Sequence, residues 1–512
     1  MHLLVNMFIY LPEIYKNRLM KKTLLILLFP LLSIGQTQIG TDINGEAANN
    51  FSGSGISLSS DGSVVAINAS AEAGNGTDSG QVRVFKNISG VWTKIGDDIN
   101  GEAIKDYSGN SISLSSDGSV IAIGARYNDG NGKDSGHVRV YKNVSGAWIQ
   151  LGADIDGKAT EDYSGWSVSL SSDGSVVAIG APGNDGSEGY RFYTGQVRVY
   201  KNVSGVWTQV GTDIYGEAAF DESGKSVSLS SDGNVVAIGA PYNNGNGTHS
   251  GHVRVYKNVS GVWTKLGADI DGKAAVDQIG FSLSLSSDGN VVAIGMPFNE
   301  LIGSSSSSGQ VRVYKNVSGV WTQQGADING EALHDASGST VSLSSDGTVV
   351  AIGATGNAGN GPYSGHVRIY KNVSGVWIQR GVDIDGEAAN DKSGSSVSLS
   401  SNGNVVAIGA PLNAGNGNNS GQVRVYDLSA VLSSDSFVMA HFSVYPNPSS
   451  EFVTISLKEG LTLEKVNIYN TLGQLVKTGK SNVISVSSLS KATYYFEIIT
   501  DKGKGTKTVL VR

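Results

Sequence analysis

A chain of 512 residues with 69 glycines, 16% charged residues and a formal net charge of −8 is too long for one compact core unless it is assembled from repeated units. Its low and net acidic charge excludes a general grip on nucleic acid, which needs clustered Lys and Arg. The lack of cysteine excludes a disulfide framework, a zinc–thiolate site and a lipidated cysteine, so rigidity has to come from sheet packing.

At the start of the chain, Met20, Lys21 and Lys22 precede the run TLLILLFPLL and then Ser33, Ile34 and Gly35. That order of basic, apolar and small residues predicts a secretory signal peptide over 20–35, with Gln36 as the mature N-terminus. The apolar run has ten residues, too few to cross a bilayer as a helix. Residues 1–19 lie upstream of the pattern and carry Glu13, Lys16 and Arg18; they are expected to be a mis-called extension, with Met20 the true start. No later run is apolar for long enough to predict a transmembrane segment.

From there to about Asp427 the text repeats. An Asp-Gly or Asn-Gly pair falls at Asp61, Asp117, Asp173, Asp232, Asp288, Asp346 and Asn402, at separations of 56, 56, 59, 56, 58 and 56 residues, the mark of a repeat array. Each copy holds four β-type runs; in the copy that starts at Ser223 they are SVSLS, NVVAIGA, HVRVYK and VWTKLG. In the first run Val227 and Leu229 alternate with serines, as an innermost strand near a crowded axis requires. The second run is apolar on both faces, which suits a strand covered on both sides. The Asp-Gly pair between them, and Asn258-Val259-Ser260-Gly261 after the third, read as tight hairpin turns. The same Asn-x-Ser pattern formally matches a glycosylation sequon, and is read here as a turn.

The two ends of the array have complementary defects. The last copy stops at Tyr426 after its third run, while residues 36–43 supply one strand before the first copy begins. A seventh unit made from both ends removes the edges of an open array. The expectation is an all-β fold, a seven-bladed β-propeller over 36–429 closed by an N-terminal strand.

The combination of SGxSVSLS, DGxVVAIGAP and GxVRVY resembles the FG-GAP repeats of integrin α-chain propellers, and SLSSDGxVVA resembles the hairpin of WD40-type blades. The resemblance covers most of 36–429. FG-GAP blades often carry a long calcium loop in the first hairpin; here that hairpin is only Ser-Ser-Asp-Gly, so the family's metal ligands do not carry over.

Comparing the copies separates framework from variation. Arg83, Arg139, Arg198, Arg254, Arg312, Arg368 and Arg424 hold one place in all seven. A sevenfold arginine reads as a structural donor, paired with the equally regular Asp42, Asp98, Asp154, Asp213, Asp269, Asp327 and Asp383. Trp92, Trp148, Trp207, Trp263, Trp321 and Trp377 read as packing anchors. His137, His252 and His366 alternate with Gln81, Gln196, Gln310 and Gln422, so that place asks for a hydrogen-bonding side chain rather than a base. In the loop D-I-[ND]-G-E-A-x-x-D, Asp98, Asn100, Glu102 and Asp106 offer four oxygen donors suited to calcium. Other copies break the set with Tyr215, Lys158 and Lys273. The loop is therefore read as a turn, with calcium at those four residues as the alternative and no cofactor expected.

Variation gathers in two loops per copy, the one after E-A and the one between G-A-P and S-G, where specificity is expected. The candidate ligand contacts are Tyr107, Tyr163, Trp166, Tyr190, Arg191, Phe192, Tyr193, Phe220 and Phe281, with 300–302 beside them.

After Tyr426, residues 430–441 read as a Ser-rich linker, and 442–512 as alternating runs of a small Ig-like β-sandwich. Tyr445, Pro446, Asn447 and Pro448, then Leu472, Gly473 and Gln474, then a basic terminal strand, resemble the type A C-terminal sorting domain of the type IX secretion system of Bacteroidetes-type bacteria. The family commonly has Gly where Ala492 and Thr493 precede Tyr494. The resemblance implies export across both membranes of a Gram-negative cell, partnership with that machinery, and a secreted or outer-surface location.

Together these features predict a monomeric, non-catalytic, adhesin-like propeller binding a glycan or a protein. The alternative is a structural surface protein without a specific ligand. A hydrolase ranks lower, because it needs a symmetry-breaking carboxylate pair or metal site at the axial mouth, and neither such a pair nor a sialidase-type S-x-D-x-G-x-T-W box is seen.

Overall fold

The computed structural model describes residues 36–71, 74–186, 192–299, 307–373, 375–433, 442–457, 461–470, 475–501 and 503–512. The leader and residues 1–19 lie outside the described residues. Among the described residues no helix is long and apolar enough to cross a membrane.

The repeat region forms seven antiparallel sheets, each with a four-strand path. In the copy around Ser223 the path is Ser226–Leu229, Val235–Ala240, His252–Val259 and Val262–Lys265. A fifth strand, Ile270–Asp271, also pairs with the third, Val253 facing Ile270. At two residues it is too short to show as an alternating pattern in sequence. One sheet draws on both ends of the array: Thr37–Gln38 and Ile43–Asn44 pair with Gln422–Asp427, placing Thr37 opposite Asp427 and Ile43 opposite Val423.

The serines of the first strand have a use beyond their small size. Each first strand lies beside that of the next copy with no ladder between them, and unmet N–H groups on such an edge are costly. Leu114 N–H donates to Ser57 Oγ at 3.0 Å, and Leu170, Leu229, Leu285, Leu343, Leu399 and Leu58 donate to Ser113, Ser169, Ser228, Ser284, Ser342 and Ser398 in the same way. A second series uses backbone alone: Ser60 N–H donates to Ser116 O, and the pattern continues through Ser172, Ser231, Ser287, Ser345 and Ser401, whose N–H donates to Ser60 O at 2.8 Å. Both series therefore link the seventh copy to the first.

The second strands are buried along their whole length, as Val235–Ala240 illustrates, except at the half-buried Val405 of the last copy. Consecutive copies share a core: Val176, Ala178, Val197 and Val199 pack with Val227, Leu229, Val236 and Ile238 of the next copy. Each such Val, Leu or Ile side chain contributes roughly 1.5–3 kcal/mol through burial. The half-buried tryptophans extend this contact, since Trp263 Nε1 donates to Val210 O of the preceding copy at 2.8 Å, and Trp92, Trp148, Trp207, Trp321 and Trp377 do the same. The sheet that ends at Asp427 has no such tryptophan. In its place the chain continues into a short helix, Ser429–Ser433, whose Val431 and Leu432 join Leu428, Val349, Ile369 and Val406 in a buried cluster. Val431 and Leu432, read from sequence as part of a linker, thus belong to this core.

Two turn features depend on backbone freedom. Gly118, in the first hairpin, has φ +70°, and a Cβ there would lie 2.8 Å from Val64 Cβ of the preceding copy, so only glycine fits. In the loop after E-A, by contrast, every copy places two non-glycine residues at positive φ, including Tyr107 (50°), Tyr163 (53°) and Val276 (66°). A β-branched residue is strained in that region by about 1–2 kcal/mol. Asn49 and Asn390 hold the place of Val276 in other copies, and Asn tolerates the left-handed region. Val276→Asn should therefore stabilise the repeat region by roughly 1 kcal/mol, read as a higher midpoint in urea with an unchanged slope; an unchanged or lower midpoint contradicts it.

Residues 442–512 have a core of their own. Phe442–Tyr445, Phe452–Leu457 and Val483–Ser485 form a three-stranded sheet, and Leu475–Gly479, Leu463–Tyr469, Thr493–Thr500 and Gly503–Leu510 a four-stranded one. Phe442, Val453, Ile455, Ile468, Phe496 and Val509 are buried together. Asn447 of the Tyr-Pro-Asn-Pro motif is tied to the last strand: its Nδ2 donates to Thr508 O at 2.8 Å, and its Oδ1 accepts from Leu510 N–H at 2.9 Å. Leu472, Gly473 and Gln474 lie outside the described residues.

Candidate ligand-binding rim

The two variable loops of neighbouring copies run side by side, zipped by backbone bonds: Tyr107 N–H donates to Asp78 O, Tyr163 to Asp134, Glu222 to Tyr193 and Gln278 to His249, all at 3.0–3.1 Å. Nearby, the N-terminal ends of all seven first strands wall a cavity of about 300 Å³. Its lining breaks the sevenfold pattern. At the position after S-G the copies read Ser54, Asn110, Trp166, Lys225, Phe281, Ser339 and Ser395, and Trp166, Lys225 and Phe281 all line the cavity.

Around Trp166 the aromatic residues form a row, each ring meeting the next edge to face. The centroids of Tyr107 and Tyr127 are 5.6 Å apart, those of Tyr127 and Tyr163 5.7 Å, and those of Tyr163 and Trp166 6.4 Å. Two cations lie over the Trp166 ring, Arg126 at 4.1 Å and Lys225 at 3.8 Å, in the range where the negative π face attracts a cation. Lys225 Nζ also bonds Glu222 Oε2 at 2.8 Å. A second group lies in the next copy's loops: Phe220 stacks on Phe192 at 6.3 Å and on Tyr193 at 6.4 Å, with Phe192 61% and Phe220 55% exposed. Phe281 meets exposed Phe298 edge to face at 5.4 Å. Tyr190, Arg191 and 300–302 lie outside the described residues. Arg126, Tyr127 and Lys225 were missed in sequence, although the same comparison of copies finds them: the place of Arg126 is held elsewhere by Ser70, Pro182, Pro241, Pro297, Thr355 and Pro411.

The electrostatics of the row follow from burial. Burial pushes the Tyr163 phenol up to about 12, with the charges of Tyr193 and Glu161 adding to it, and raises Tyr107 as well, helped by Asp78. Both phenols therefore stay protonated at neutral pH. Burial also lowers the Arg126 guanidinium, against the opposing effect of its Tyr127 neighbour.

The repeated charges sit elsewhere and differ from the sequence expectation. The arginines pair chiefly with the glutamate of the E-A loop: Arg83 with Glu46 at 3.2 Å, Arg139 with Glu102 at 3.4 Å, Arg254 with Glu217 and Arg368 with Glu331 at 3.3 Å, and Arg424 with Glu387 at 4.0 Å. Among the described residues only Arg312, whose copy has Lys273 in place of the glutamate, meets its regular aspartate, Asp327, at 3.3 Å. The regular aspartates are held instead by the Gln or Lys four residues earlier, as Asp383 is by Gln379 at 2.6 Å and Asp98 by Lys94 at 2.8 Å. That local bond does not by itself exclude the expected pairing, since Asp327 accepts from both Gln323 and Arg312; in the five copies named above the arginine is already engaged by the glutamate.

The four candidate calcium donors are engaged separately. Asp98 binds Lys94, Asn100 accepts from Gln81, Glu102 faces Arg139, and Asp106 accepts from Ala103 N–H and Asn128. Different trios do converge, Glu102 with His137 and Asp154, Glu217 with His252 and Asp269, and Glu331 with His366 and Asp383. Each trio includes a glutamate already paired with the repeat arginine. Burial and that arginine hold His137 and His252 down to about 4, so both rings are neutral at pH 7.

Comparison with known proteins agrees with the two modules. Residues 382–426 match the FG-GAP repeat, and 443–512 match the secretion system C-terminal sorting domain. The sorting domain places this protein among those exported to the cell surface or the extracellular space in Bacteroidetes. An 88-residue stretch is 35% identical to an ulvan lyase of Nonlabens ulvanivorans; it covers 16% of this chain and 16% of that relative.

Proposed function

We propose that the seven sheets close into a seven-bladed β-propeller, and that the protein, led out by a signal peptide over 20–35 and its sorting domain, acts outside the cell as a non-catalytic, adhesin-like glycan-binding module. The ring reading is supported by the sheet shared between the chain's two ends and by hydrogen bonds that run from the seventh copy to the first. The observation that carries the binding reading is the break in symmetry at one rim. The repeat arginine recurs in all seven copies and the packing tryptophan in six, yet Trp166, Lys225 and Phe281 stand on three consecutive copies where four others have Ser or Asn. A purely structural ring has no use for that difference. Aromatic rings with exposed faces, such as Phe192 and Phe220, suit the apolar faces of sugars.

The similarity to a lyase raises catalysis as a second reading. It needs a base at this rim, and the protonated Tyr107 and Tyr163 and the Lys225-bound Glu222 are poorly suited to that task. The test is a glycan array probed with the mature protein and with a variant carrying the copy-six and copy-seven residues at this rim, Arg126→Thr, Trp166→Ser and Lys225→Ser. Binding of a glycan class by the parent and its loss in the variant are expected. Equal binding by both, or turnover of a bound polymer, contradicts the proposal.

A further inference from the structure

The positive charge at the rim points to the class of ligand. Arg126 is half-buried between the Trp166 and Tyr127 rings, 4.1 and 4.8 Å from their centroids. Its Nε is buried with no hydrogen-bond partner, and among the described residues no ion pair joins Arg126 to a carboxylate. The scaffold does not call for a cation here, because other copies place Ser, Thr or Pro at this position. The repeat arginines, by contrast, mostly have a carboxylate of their own, such as Glu102 for Arg139. Lys225 adds a second cation over the same Trp166 ring, and Glu222 answers only one of the two. A partly desolvated guanidinium without a counter-ion is costly to keep, and a planar fork of donors is the side chain best matched to a carboxylate or sulfate. The two cations over the Trp166 ring also make that ring a support for charge, leaving the exposed Phe192 and Phe220 faces for stacking.

Resting on the reading of this rim as a glycan site, we propose that the ligand is an anionic saccharide whose carboxylate or sulfate group docks on Arg126 beside Lys225, with its sugar faces continuing toward Phe220 and Phe192. The idea is tested by titrating the mature full-length protein with paired polymers: dextran sulfate against dextran, and polygalacturonate against methyl-esterified polygalacturonate, with polyglutamate as a non-sugar anion. The expected result is that at least one charged polymer of a pair binds roughly tenfold or more tightly than its neutral partner, and that the gap narrows as salt is raised, since screening weakens exposed charge contacts. Which pair shows the gap tells sulfate from carboxylate. Arg126→Gln should abolish the preference, Arg126→Lys should retain part of it, and Lys225→Met serves as the second variant if Arg126→Gln melts early. Equal binding of charged and neutral sugars overturns this inference but leaves the glycan reading intact. Binding of polyglutamate as tight as that of the best sugar also overturns it. No binding to any polymer here or to any glycan on the array removes both.

Discussion

A mature protein lacking residues 36–44 should melt roughly 10 °C or more below the parent, because several stabilising contacts of about 1–3 kcal/mol each are lost together and each kcal/mol moves the midpoint of a large domain by a few degrees. Ile43 is buried with Ile56, Leu58, Val65, Val423 and Val425, and its loss opens a cavity at the seam between the last copy and the first. Ile39 O accepts the Trp92 indole N–H at 2.8 Å, Asn44 O accepts from Arg83 at 3.2 Å, and Gln36 Nε2 donates to Val382 O at 2.6 Å, so three separate bonds disappear with the segment. The strand Gln422–Asp427 would also lose both its outer partners and become an exposed edge, prone to pairing with other chains. A synthetic peptide of residues 36–46, added to the truncated protein, should restore part of the melting temperature, because it offers the same strands to the same edge. An unchanged melt on deletion would mean that the seam contributes little and that the array does not depend on closure.

The second large effect concerns export. Deleting 443–512 should leave the protein in the periplasm, with almost none in the medium or on the cell surface, since that segment matches the secretion system's sorting domain. Removing only 503–512 should have the same outcome. Those residues form the edge strand that pairs with Thr493–Thr500, supply buried Val509 and Val511, and hold Asn447 by two bonds, Thr508 O accepting from its Nδ2 and Leu510 N–H donating to its Oδ1. The repeat region has cores of its own, so the retained protein should still be folded and protease-resistant. Continued secretion of either truncation contradicts the role of the sorting domain.

Much of the scaffold was legible because its rules are local. The Asp-Gly turns, the alternation of Val and Leu with Ser in the first strand, and the apolar second strand each follow from a period or a turn requirement that a single copy displays. The function of the serines was not legible, since the groups they satisfy, such as the Leu114 N–H reached by Ser57, belong to another copy. The arginine partners were misread for a related reason. Regular spacing suggested the aspartates, whereas the partner in most copies is a glutamate brought from a distant loop, as Glu331 is to Arg368. The helix at Ser429–Ser433 carries too few turns to show a 3.6-residue period. At the rim, Trp166 and Phe281 stood out as large aromatics, whereas Arg126 and Lys225 were not singled out. Their meaning appears only when the Trp166 ring is seen beneath both.

On the proposed function, the constant part of each copy is scaffold and recognition lies where the copies differ. The most direct test is a paired measurement on the variant Arg126→Thr, Trp166→Ser and Lys225→Ser, whose new residues already occupy the same places in the sixth and seventh copies as Thr355, Ser339 and Ser395. Its melting curve and its binding to the best array glycan are compared with those of the parent. A melt within about 3 °C of the parent is expected, as for substitutions outside the shared cores, together with loss of nearly all binding. Retained binding at an unchanged melt would place recognition elsewhere on the molecule and contradict the proposed function.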